Sequence, residues 1–159
     1  MNAAAVSGIL LGKIKKWNAK PIAKLNVGKT LPNKAIQTFY RDASGTTENL
    51  TNYLLQNVPT AGWKKSKDLT PIIKATNPTA TVKATSSVLA DKIQSTKYAF
   101  GYFDLSDAVT AKVAYAALKN ANGEYVLPTA SAGAKFLAGQ STVVDSANMK
   151  TDGTLTIDF

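Results

Sequence analysis

Apolar and polar positions along the chain follow two periods, and the switch between them sets the order of elements. Val6, Ile9, Leu10, Ile14 and Trp17 recur at helical spacing, with Lys13, Lys15 and Lys16 on the other side. That pattern predicts an amphipathic helix ending near Trp17-Asn18, with Trp17 in the core. Pro21 suits the start of a short helical turn through Ile22 and Leu25, and Gly28 its end. Ala35 to Tyr40 (AIQTFY) is rich in β-formers and reads as a strand. Thr47 to Val58 reads as a helix burying Leu50, Tyr53, Leu54 and Val58, with Glu48 in the first turn, where the helix dipole favours an anion. Pro59 to Pro71 reads as a loop carrying Lys64, Lys65, Lys67 and Trp63, the last either core edge or exposed contact. Thr79 to Lys83 suggests a short strand, Ser86 to Ser95 a helix, and Tyr98 to Leu105 the strongest strand in the chain. Val113 to Leu118 is ambiguous, its alanines favouring helix, but Asn122-Gly123 followed by Tyr125–Leu127 is a hairpin signal and favours two strands there. Ala130 to Leu137 looks helical, and Thr154 to Phe159 alternates like a strand. Strands alternating with helices predict a single α/β domain over residues 1–159, built on a mixed sheet.

Composition narrows the function. The 159 residues are 45% hydrophobic and 18% charged, which fits a globular domain. No apolar run approaches the roughly 20 residues needed to cross a bilayer. Ala3 to Gly12 is apolar, but its positive charges follow it rather than precede it, so it reads as a structural helix and not as the core of a secretion signal. The sequence contains no cysteine and no histidine. That excludes disulfides, cysteine nucleophiles, histidine-ligated zinc hydrolases and Ser-His-Asp triads. Asp104 and Asp107 flank a strand end without a third ligand and read as a solvated turn, while Asp145, Asp152 and Asp158 read as surface. The expectation is a protein that is not an enzyme and carries no metal or cofactor. The net charge is +9, yet of 19 basic residues only Arg41 is arginine. Nucleic-acid readers favour arginine, whereas a lysine surface gives solubility and diffuse attraction to anions, so no specific nucleic acid is expected.

One segment carries candidate chemistry. Arg41, Asp42, Ala43, Ser44, Gly45, Thr46 and Thr47 lie between a strand and a helix. The first amides of a helix lack carbonyl partners and point outward with partial positive charge. Gly45 lets an anion approach the backbone, and Ser44, Thr46 and Thr47 add hydroxyls. Arg41 offers a planar fork suited to a tetrahedral oxyanion. Asp42 could orient that fork or accept a proton from the ligand. An ordinary capped helix start would use many of the same residues. The loop lacks the Gly-Lys pair of a nucleotide-binding P-loop.

Residues 12–18 (GKIKKWN), Pro21-Ile22, Leu25-Asn26, Gly28 and Leu31-Pro32 resemble the opening of the second lobe of the phosphate-binding proteins of bacterial phosphate ABC transporters. The loop Arg41 to Thr46, with Thr51 and Tyr53-Leu54 after it, is similar to that family's phosphate loop. Tyr98 to Tyr102 (YAFGY) is similar to its "aIGY" strand, and Lys119 to Gly123 with Pro128-Thr129 to its closing hairpin. The resemblance implies a three-layer, mixed-sheet lobe of a venus-flytrap fold in the type 2 periplasmic-binding-protein superfamily. It implies a periplasmic or extracellular protein gripping phosphate between two lobes, the first of which lies outside this sequence, and serving ABC transporter membrane subunits. Its site residues carry over to Arg41, Asp42, Ser44, Gly45 and Thr46, with Thr47, Ser86 and Ser87 as further candidates. The family separates the arginine and aspartate by one residue, whereas here they are adjacent. Its glycine-rich stretch before the next helix reads Ala84-Thr85-Ser86-Ser87 here. The alternative is a structural or interaction module of a larger exported protein, with a vestigial anion site.

Overall fold

The computed structural model describes residues 1–120, 122–129 and 131–132, in two compact units, Met1–Tyr115 and Ala116–Phe159. Except for Ser131 and Ala132, the expected helix over Ala130 to Leu137 lies outside the described residues, as does the strand over Thr154 to Phe159.

In the first unit, β1 (Gln37–Arg41) is flanked by β2 (Thr81–Lys83) and β3 (Ala99–Phe100) in the order β2-β1-β3. Both pairings are parallel, Phe39 opposite Thr81 on one side and Gln37 opposite Ala99 on the other. The expected antiparallel element is a separate hairpin in the second unit, β4 (Leu118–Lys119) paired with β5 (Tyr125–Val126). There Gly123 takes a φ of 86°, the left-handed turn conformation that glycine adopts without strain. The α/β class read from the sequence is the class observed.

Parallel strands require crossovers, and here these are helical. Between β1 and β2 run α3 (Gly45–Asn57), a 3₁₀ turn at Pro59–Ala61 and α4 (Thr70–Thr76). Between β2 and β3 runs α5 (Ser86–Gln94), and α6 (Leu105–Thr110) follows β3. Expected and observed limits of α3 and α5 agree closely because local caps set them. Ser44 Oγ accepts from the Thr47 amide and Thr85 Oγ1 from the Val88 amide. Pro71 starts α4 inside a stretch expected to be loop.

Two expectations change on packing. The first helix is α1 (Ala3–Leu10), shorter than expected and buried on nearly every side. It stops at Leu10 because Gly12 adopts a φ of 68° and buried Asn77 donates to the Ile9 and Leu10 carbonyls. Ile14 reaches the core beyond this break, and Trp17 packs partly buried on the Ile9, Ile14 and Ile22 cluster. A second short helix, α2 (Lys20–Ala23), contains Pro21 as expected. The strand expected over Tyr98–Leu105 pairs only at Ala99–Phe100, and Leu105 already belongs to α6.

Gly12→Ala tests the α1 break. A methyl there would lie 3.1 Å from the Asn77 side chain and 3.1 Å from the Thr76 carbonyl oxygen, on a backbone that L-residues disfavour. Urea denaturation should show a loss of about 1–3 kcal/mol.

Candidate functional site

The site lies at the carboxyl ends of the three parallel strands, where open α/β sheets form their binding crevices. Arg41 is the last residue of β1, Ser86 opens α5 after β2, and Asp104 precedes α6 after β3. Helix starts follow all three strands, so outward-facing amides come from three elements.

Arg41 is the hub. Its Nη1 donates to Thr46 Oγ1 at 3.4 Å and, in a short hydrogen bond, to Ser86 Oγ. Both hydroxyls then donate to one carboxylate, Thr46 to Asp104 Oδ1 at 3.2 Å and Ser86 to Asp104 Oδ2 at 3.0 Å. Guanidinium and carboxylate are thus joined through two hydroxyls. Asp104 sits at the N-cap position of α6 but makes no side-chain cap there, its oxygens being turned to Thr46 and Ser86. Arg41 Nε is buried and has no hydrogen-bond partner among the described residues. A buried unpaired donor on a charged group is costly, and a ligand acceptor would relieve it.

A second network holds the loop. Ser44 Oγ accepts from the Thr47 amide at 3.1 Å and lies 2.9 Å from Thr47 Oγ1, which lies 2.7 Å from the Tyr102 hydroxyl. The Arg41 amide donates to that same hydroxyl at 3.3 Å. Burial pushes the Tyr102 phenol above its ordinary pKa, so it keeps its proton at neutral pH. Gly45 is exposed, and a Cβ built on it meets nothing within 4 Å.

The structure thus joins Arg41 to Thr46 and Ser86, and Ser44 to Thr47, at the helix start where Gly45 is exposed. Asp42 and Ser87 stand apart. Asp42 was expected beside the guanidinium, but its amide donates to Lys83 O and its carboxylate accepts from the Ala43 amide. Successive residues of extended chain project to opposite sides, so an acid adjacent to Arg41 turns away from it. Asp104, expected as a solvated turn, is the acid that serves Arg41. Ser87 is exposed and lies 3.1 Å from Thr85 Oγ1. Among the described residues no group of three or more Asp or Glu is placed to hold a metal ion. What the arrangement offers is anion chemistry: a guanidinium whose Nε lacks a partner among the described residues, the exposed backbone of Gly45 and helix-start amides.

A family model described as a PBP superfamily domain matches residues 1–155. The chain belongs to the PBP superfamily. Among curated relatives of this PBP superfamily domain is the "Phosphate-binding protein PstS" of Pasteurella multocida, 39% identical over 131 residues, covering 82% of this chain and 37% of that protein. The protein of the same name from Xylella fastidiosa is 35% identical over 146 residues, covering 91% and 38%. That from Methanocaldococcus jannaschii is 34% identical over 133 residues, covering 78% and 33%. The PBP superfamily domain therefore spans between about a third and two fifths of the length of these relatives.

Sequence reasoning missed Asp104 and Tyr102 as site residues of this PBP superfamily domain. Asp104 stands 58 residues from Thr46 and 18 from Ser86, and only the fold brings them together. The available signal was an N-cap aspartate before a helix start, which marks α6 and ends β3 early.

Proposed function

We propose that this PBP superfamily domain is one lobe of an exported, non-enzymatic solute-binding protein that takes up phosphate or a similar tetrahedral oxyanion. In this reading a second lobe completes the grip, and the loaded clamp delivers its anion to ABC transporter membrane subunits. The observation that carries the reading is the buried Arg41 Nε, without an acceptor among the described residues, on the guanidinium that reaches Thr46 and Ser86 next to exposed Gly45. The relatives named as phosphate-binding proteins support the choice of anion.

A single lobe leaves half of a bound anion in water, where each hydrogen bond adds little net energy. Titration of this chain with phosphate, followed by amide NMR, should show millimolar or weaker binding, on the order of 4 kcal/mol or less, localised at Gly45 and Thr46. Micromolar affinity would mean that the site is complete without a second lobe. Shifts spread over the lysines with none at Gly45 and Thr46 would overturn the reading. Gly45→Ala is the matched variant. Its methyl meets nothing within 4 Å, so the melting temperature should hold or rise, while the methyl obstructs the approach to the amides and the localised shifts disappear.

A further inference from the structure

The hydroxyls of Tyr102, Thr47 and Ser44 form a continuous line from the end of β3 to the anion loop, and that line has a direction. Tyr102 oxygen accepts from the Arg41 amide. Its own hydrogen must then go to an acceptor, and Thr47 Oγ1 at 2.7 Å is the one present among the described residues. Thr47 is fully buried, so its hydrogen must also be used, and Ser44 Oγ at 2.9 Å is within reach. Ser44 oxygen then accepts twice, from the Thr47 hydroxyl and the Thr47 amide. Its remaining hydrogen is left over, on a half-buried side chain at the mouth of the loop. The opposite direction would have Ser44 donate to Thr47 and Thr47 to Tyr102. That leaves the phenol hydrogen without an acceptor among the described residues, the more costly arrangement. Hydroxyl chains of this kind also polarise one another, strengthening the terminal donor.

We infer that Tyr102 is a positioning residue for the anion site, whose phenol directs the relay so that Ser44 presents its hydrogen to the oxyanion. This rests on the oxyanion reading of the loop, and it deepens it: the site's hydroxyls are not equivalent. Those of Thr46 and Ser86 are spent on Asp104, and that of Ser44 is held in reserve as a donor. An ordinary phenol keeps its proton through neutral pH, and the burial of Tyr102 shifts it further in that direction.

Tyr102→Phe removes the first donor while leaving the ring. Thr47 must still donate to Ser44, but it lacks its incoming hydrogen, so the line is no longer polarised and Ser44 at its end becomes a weaker donor. Phosphate titration of this chain should show affinity reduced about twofold, a fraction of one net hydrogen bond. Ser44→Ala should give a larger loss, about fivefold, and the double variant should lose no more than Ser44→Ala alone. A bracing role for Tyr102 would lower the melting temperature without this non-additive affinity loss. Unchanged affinity in Tyr102→Phe, or additive losses in the double variant, would overturn the inference. Should the parent chain show no phosphate shifts at Gly45 and Thr46, it is the oxyanion reading that fails. The relay is then judged in urea without ligand, where Tyr102 and Ser44 must be energetically coupled through Thr47, and additive stability losses would sink it.

Discussion

Trp63→Ala is expected to destabilise the first unit by about 3–5 kcal/mol in urea denaturation, the cost of emptying a large buried aromatic site. Trp63 retains only 3% of its exposure, and its indole nitrogen donates to Ser7 Oγ at 2.8 Å on buried α1. Truncation therefore opens a cavity and strips Ser7 of a partner where water does not reach. Domains of this size have a net stability of about 5–15 kcal/mol, so the loss is a large share of the total. Trp63→Phe should cost distinctly less, since most of the volume is kept. Near-normal stability in the alanine variant would show that the segment around Trp63 is not part of the core.

The second large effect is on binding. Arg41→Lys should reduce phosphate affinity at least tenfold, measured as the loss of saturable shifts at Gly45 and Thr46. Charge-assisted hydrogen bonds contribute roughly 1.5–3 kcal/mol, and lysine presents a point charge where arginine presents a fork. Stability should fall as well, by about 1 kcal/mol, because Arg41 Nη1 also ties Thr46 to Ser86. The two measurements separate two roles. A drop in stability with unchanged phosphate shifts would make Arg41 an internal brace and remove it from the anion site.

Legibility in the sequence followed the range of the interactions involved. The limits of α3 and α5 depend on Ser44 and Thr85, caps acting over three residues, and such signals can be read along a line. The strand over Tyr98–Leu105 was over-extended because aromatic residues favour strands only where a partner strand exists. β1 offers β3 just two positions, Gln37 and Thr38. Trp63 among lysines could not be assigned to core or surface because its partner, Ser7, lies 56 residues away. Lys65 and Lys67 instead reach Glu48 at 3.7 and 3.9 Å, ion pairs at the half-buried surface whose solvent contact keeps their contribution to stability small. In the site, the loop from Arg41 to Thr47 was visible as a strand-to-helix junction. Asp42 does not brace Arg41 as adjacency in sequence suggests, because extended chain turns neighbouring side chains to opposite sides.

The central position of β1 also bears on how the molecule is assembled. Its neighbours are made long after it: β2 lies some forty residues on and β3 some sixty. Parallel pairing cannot begin until the intervening crossover is in place, so the sheet closes through contacts distant in sequence, which slows folding. The loop from Arg41 to Thr47, proposed above to take the anion, inherits that schedule. Ser44 can cap α3 early, but Ser86 arrives with α5, and Tyr102 and Asp104 only with the residues just beyond β3. The cradle is thus a product of the finished sheet, and an anion that settles in it favours the closed sheet over any partly assembled chain.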